Sequence, residues 1–130
     1  MRESTVVKVI ESALKSESRY HVNFHGSLMS SNGVTDFLTV DSGGVMTGVE
    51  AKAPGAGPTV NQYRQMIYML LSGAKVFIAY DDFSVGMIDG SIDVPKFELG
   101  ARVGEDDFDA VDQFKHLAKK SRTVEVVLRH

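Results

Sequence analysis

The sequence predicts an α/β fold, a mixed central sheet flanked by helices, with the first 80 residues running α-β-β-β-α-β. Three stretches predict it. Residues 3–16 carry apolar side chains at helical spacing, 34–52 hold two short apolar runs joined through "DSGG", and "AKVFIAY" is the continuous apolar run of a strand buried on both faces.

In the first helix Glu3, Val7, Ile10 and Leu14 follow a 3-4 spacing, with Val6 beside them. Glu3 thus lies on the apolar stripe and is expected to point inward with Ile10, opposite Lys8. Glu17 continues the line but falls in the Ser-rich end, where it reaches water. "RYHVNFHG" is the first strand, ending at Gly26, and "SLMSSNG" is a loop of turn-forming residues. "VTDFLTV" (34–40) and "VMTGVEAK" (45–52) form the arms of a hairpin. "APGAGPT" breaks the chain, and Thr59 caps a helix over 60–72 that puts Tyr63, Met66, Ile67, Leu70 and Leu71 on one face. Gly73 ends it. After "AKVFIAY", "SVGMID" suggests another strand; then come a polar connection, a helix near 105–120 and a terminal strand "TVEVVL".

At 130 residues the chain is read as one domain, with a core over 3–80 and a C-terminal extension over 81–130. It has no cysteine, so disulfides and thiolate metal sites are excluded. No apolar run approaches membrane-spanning length, and "MRESTVVKVIESALK" lacks the apolar region of a signal peptide. A soluble, cytoplasmic or otherwise intracellular protein without a membrane partner is expected. Net charge is -3. Residues 1–80 balance seven Lys/Arg against six Asp/Glu, whereas 81–130 set seven against eleven, so the acidity sits in the C-terminal part, notably "EDDFDAVD" at 105–112. Such a balance argues against a non-specific DNA coat protein but leaves room for an enzyme that touches nucleic acid at one site.

Charged residues stand inside the hairpin strands. Alternation puts Glu50 and Lys52 on one face with Ala51 opposite, and Asp36 on the partner arm faces the same space. Two nearby carboxylates repel unless a cation lies between them, and a hard divalent cation prefers carboxylate, carbonyl and water oxygens. The Ala51 backbone carbonyl offers one more ligand. Lys52, charged, orients a water or offsets charge on a transition state. The spacing D-x13-E-x-K by itself fits equally an exposed hairpin residue and a solvated strand face. Asn23 and His25, just ahead of the strand bearing Asp36, receive no role, and His21, His25, His116 and His130 lack the paired spacing of a zinc site. "APGAGPT" lacks the Lys-Ser/Thr ending of a P-loop, so no nucleotide cofactor is expected.

"GVTDF", "GVEAKAPG", "PTVNQ" and Gly73, eleven residues after Gln62, together resemble the VRR-NUC branch of the PD-(D/E)XK nuclease superfamily. The resemblance covers residues 3 to about 80, and Gly33 through Asp36, Glu50 with Lys52, Gln62 and Glu3 match the family's elements in order. Thr35 departs from it, standing where the family often has Pro. The resemblance implies a restriction-endonuclease-like fold and metal-dependent hydrolysis of phosphodiester bonds in DNA. It implies that Asp36 and Glu50, with the Ala51 carbonyl, hold Mg²⁺ or Mn²⁺, that Lys52 assists the attacking water, and that Gln62 positions the site. Glu3 would approach from the first helix, at a second metal or behind the first ligands. Single-domain relatives imply a homodimer acting on branched DNA such as Holliday junctions, with ordinary duplex as the other DNA partner. The alternatives are a non-catalytic nucleic-acid-binding or inhibitor module on the same fold, and an interaction subunit that binds through its acidic C-terminal part.

Overall fold

The computed structural model describes residues 1–28, 33–100 and 122–129. Helix α1 (Glu3–Ser16) leads to strands β1 (His21–Asn23), β2 (Phe37–Val40) and β3 (Met46–Ala51). Helix α2 (Val60–Leu71), β4 (Lys75–Ala79), α3 (Val85–Asp89), β5 (Lys96–Leu99) and β6 (Val124–Leu128) follow. The strands form one mixed six-stranded sheet in the order β1-β2-β3-β4-β6-β5. The β1–β2, β2–β3 and β4–β6 pairs are antiparallel, and β3–β4 and β5–β6 parallel. The architecture is therefore α/β, and among the described residues its first six elements come in the order α-β-β-β-α-β.

Each side of the sheet is closed by one of the longer helices. Val6, Val7, Ile10 and Leu14 of α1 share a core with Phe37, Val49, Ala51, Phe77 and Ala79. Tyr63, Met66 and Ile67 of α2 share the other with Val76, Ile78, Tyr80, Phe97 and Val126. Strand β4 contributes alternate residues to both, and residues 76–80 are at most 1% exposed, as a continuous apolar run requires. The hairpin turn is organised by Asp41, whose Oδ1 accepts the N–H groups of Gly43 at 2.8 Å and Val45 at 2.9 Å. Its other oxygen pairs with Lys75 Nζ at 2.7 Å, joining the turn to the start of β4. These donors hold the Asp41 carboxyl below its usual range, Lys75 foremost and the Val45 N–H next.

At Gly48 α2 packs tightly on the hairpin. A Cβ there would stand 2.6 Å from Met69 Cε and 2.8 Å from Thr35 Oγ1, so the approach requires a residue without a side chain. Arg19 binds the turn end of the hairpin to α3: its two guanidinium nitrogens donate to the two Asp89 oxygens at 2.7 and 2.8 Å, and Nη1 also donates to the Val40 carbonyl at 2.9 Å.

Four sequence expectations change. "SVGMID" is mostly the helix α3, not a strand, because Val85 and Ile88 face the core at a helical i, i+3 spacing and Gly90, at φ +89°, ends the turn in the left-handed region. The connection after it contains β5, whose Phe97 and Leu99 are buried between exposed Lys96 and Glu98. Leu71 is 57% exposed and does not share the apolar face of α2. The first strand is limited to three residues of the expected run. The expected helix near 105–120 lies outside the described residues.

Candidate functional site

The β2–β3 register pairs Phe37 with Val49 and Leu38 with Gly48. Carried back one residue, it sets Asp36 directly across from Glu50, so a carboxyl from each arm meets at the same end of the hairpin. Both are buried, Asp36 3% and Glu50 2% exposed. The Ala51 N–H donates to Asp36 Oδ2 at 2.9 Å, which fixes the Asp36 side chain along β3. Thr35, before it, is wholly buried and donates its hydroxyl to the Phe37 carbonyl at 3.0 Å. A side-chain hydrogen bond here shapes the backbone ahead of Asp36.

Glu50 is the unusual member. Its Oε2 is buried without a hydrogen-bond partner among the described residues, a costly condition for a carboxyl oxygen. Burial, then the adjacent Asp36 carboxyl, push its pKa up to about 10, with Lys52 acting in the opposite direction. At neutral pH the ion-free pocket therefore holds Glu50 protonated. A cation placed against the pair would reverse this by compensating its charge.

Lys52 follows β3 and keeps its backbone tied to β4 by donating its N–H to the Ala79 carbonyl at 3.1 Å. Its side chain is 11% exposed and its Nζ lies 3.8 Å from Glu3 Oε1. Glu3 is thus brought to the site from the first turn of α1, but it is half-exposed and sits at the rim, not on the inward line with Ile10. Gln62 is placed differently. It forms a reciprocal capping box at the start of α2: Thr59 N–H donates to Gln62 Oε1 at 2.9 Å, and Gln62 N–H donates to Thr59 Oγ1 at 3.2 Å.

The residue that sequence reasoning left without a role is His25. The antiparallel β1–β2 register ends at Asn23 opposite Phe37, and Phe24 continues it by donating its N–H to the Asp36 carbonyl at 2.7 Å. The next residue then turns over the Asp36 side chain. His25 N–H donates to Asn23 Oδ1 at 2.8 Å, and its Nδ1 stands 3.0 Å from Asp36 Oδ1 and 3.7 Å from Glu3 Oε2. Glu3, His25 and Asp36 offer three ligand atoms that all lie within 4.8 Å of one another.

The residues fit a divalent cation on chemical grounds: a buried carboxyl oxygen lacks a donor among the described residues, a second carboxyl stands across from it, and a third lies at the rim. Compared with protein-family models, with curated proteins and with solved structures, the chain finds no match. No helix among the described residues is long and apolar enough to cross a membrane.

Proposed function

We propose that this chain is a metal-dependent nuclease of the restriction-endonuclease-like, VRR-NUC type, hydrolysing phosphodiester bonds in DNA at the Asp36–Glu50–Lys52 site. The observation that carries the reading is the buried Glu50 carboxyl facing Asp36 across the hairpin, with one oxygen unpartnered among the described residues. A strand face built only for solvation would leave both carboxyls in water.

In this reading Asp36 and Glu50 hold Mg²⁺ or Mn²⁺, joined by the Ala51 carbonyl, and Glu3 holds a second ion or supports the first ligands. A divalent ion so held supplies Lewis-acid polarisation of a phosphoryl oxygen and a water of lowered pKa. Lys52 contributes an ammonium whose buried stem limits its reach to the site mouth, where it orients the attacking water and offsets charge developing on phosphorus-bound oxygens. Water adds to phosphorus, one ester oxygen leaves, and the proton released passes to solvent. The resemblance to the family further suggests branched DNA as substrate and a homodimer presenting two sites to a two-fold junction. Gln62 enters the proposal only through that resemblance.

The test is cleavage of an end-labelled four-way junction beside a linear duplex of matched sequence, with Mg²⁺, Mn²⁺ or chelator, and Glu50→Gln as the control. Cutting that needs metal and vanishes in the variant supports the enzyme, and junction preference supports the narrower substrate. Binding to DNA without product under any metal favours the non-catalytic module instead.

A further inference from the structure

We propose that His25 is a direct ligand of the cation in this site, giving it a mixed nitrogen–oxygen ligand set that selects Mn²⁺ over Mg²⁺. The inference rests on the metal reading given above and adds a ligand to it.

Three observations converge on His25. The first is distance. Neighbouring ligands on an octahedral ion with bonds of about 2.1 Å are separated by about 3 Å, and opposite ligands by about 4.2 Å. His25 Nδ1 stands 3.0 Å from Asp36 Oδ1, the spacing of neighbouring ligands, and 3.7 Å from Glu3 Oε2, and the ligand atoms of the three residues lie within 4.8 Å of one another. The second is independent of that cluster: Glu50, 2% exposed, lies against Asp36 and keeps a buried oxygen without a partner among the described residues. The third is anchoring. The backbone of His25 is tied to Asn23 Oδ1 at 2.8 Å, and the preceding residue is tied to the Asp36 carbonyl at 2.7 Å, so the ring is carried by the same strand pair that carries Asp36.

Without an ion, His25 Nδ1 and Asp36 Oδ1 stand at hydrogen-bonding distance. On binding, a neutral imidazole would give its Nδ1 lone pair to the ion and carry its single ring proton at Nε2. Imidazole nitrogen suits the later divalent ions and is a poor ligand for Mg²⁺ and Ca²⁺, whose sites are built from oxygen. Asp36 and Glu50 alone would favour the hard ions. His25 shifts the preference.

The experiment uses the full chain, Mn²⁺ as probe and no DNA. Mn²⁺ binding is counted by EPR titration, and electron spin-echo modulation reports whether an imidazole nitrogen is bonded to the bound ion. The expected result is imidazole modulation in the wild type that disappears in His25→Ala, together with a roughly tenfold or larger loss of Mn²⁺ affinity and a much smaller loss for Mg²⁺. Melting in chelator establishes that His25→Ala still folds, and the wild-type spectrum decides the ligation even if it does not. Mn²⁺ held in a manner that Glu50→Gln abolishes, but without imidazole modulation, overturns the histidine ligand and leaves the metal reading intact. Modulation that persists in His25→Ala overturns it equally. Mn²⁺ binding unaffected by Glu50→Gln, or no binding, removes the metal site and the inference together.

Discussion

Ala51 donates its backbone N–H to Asp36 Oδ2 at 2.9 Å across the hairpin. The bond joins the residue beside Glu50 to the carboxyl opposite Glu50, so the two acids cannot separate without breaking the β2–β3 ladder. Proximity of two buried carboxyls is thereby built into the backbone and not left to side-chain choice. It has a cost that pH should expose.

Glu50 titrates near 4.5 in an unfolded chain and at about 10 in the fold. Between these values the native state keeps a proton that the unfolded state releases, so this group's contribution to stability is greatest below the lower value and falls as pH rises through the window. The slope is at most roughly 1.4 kcal/mol per pH unit. In chelator, wild type is expected to melt at a lower temperature at pH 8.5 than at pH 6, with Glu50→Gln flattening that difference. Mn²⁺ should raise the wild-type melting temperature more at the higher pH, since the ion needs the ionised carboxylate. Thermal melts with and without Mn²⁺ check both; equal pH slopes for the two proteins in chelator would remove the buried proton.

Lys52→Ala should lower single-turnover cleavage on the order of a hundredfold or more, if its ammonium stabilises charge on the reacting phosphate. Its Nζ lies 3.8 Å from Glu3 Oε1, beyond direct hydrogen-bonding distance. Binding of the metal-free protein to DNA should change far less than the rate. A near-normal rate would reduce Lys52 to a structural cation.

The Arg19–Asp89 pair is expected to be a stability element with no part in chemistry. Both side chains are largely buried, at 16% and 19% exposure, and both have further partners, Val40 O for Arg19 and Ser42 N–H for Asp89. Removing either leaves the other's charge poorly compensated, so Arg19→Ala or Asp89→Ala should cost about 2–4 kcal/mol. Arg19 first, then the Ser42 N–H, hold the Asp89 carboxyl below its ordinary 3.8. Its contribution is therefore complete above that value and is lost as pH falls below it, the opposite direction from Glu50. Denaturant titrations of the single and double variants at neutral and acid pH read the coupling.

Gly48→Ala tests the contact between α2 and the hairpin. Met69 Cε, the end of a flexible chain, can move away, but Thr35, wholly buried and bonded to the Phe37 carbonyl, has little freedom. A cost of about 1–3 kcal/mol is expected, together with slower cleavage because Thr35 is the neighbour of Asp36. Met69→Ala in the same protein should recover part of the stability and little of the rate.

Much of this organisation was legible in local pattern. The α1 stripe named Val6, Val7, Ile10 and Leu14, all buried, and the alternation around "DSGG" located the arms that bring Asp36 and Glu50 together. What escaped depended on distant partners. His25 acquires its place only from the β1–β2 register, which no spacing within "NFHG" reveals. Five residues of α3 are too few for periodicity to separate helix from strand. In β5 the charges of Lys96 and Glu98 hid a strand whose other two residues are core. Leu71 carried the right residue type at the last position of α2, where it stays exposed.

Gln62 poses the sharpest separation between scaffold and site. Its Oε1 closes a capping box with Thr59, a sufficient reason for glutamine at this position without any role in cleavage. Thr59→Ala removes one half of the box and Gln62→Ala the other, so if capping is all that Gln62 does, both should cost about 1 kcal/mol and leave the rate per folded molecule unchanged. If Gln62 also positions the site, Gln62→Ala should lose cleavage well beyond Thr59→Ala at matched stability. Melting temperatures and single-turnover rates measured on the same two variants distinguish these outcomes. Thr59 is exposed and lies outside the carboxylate cluster, so it reports the cap alone.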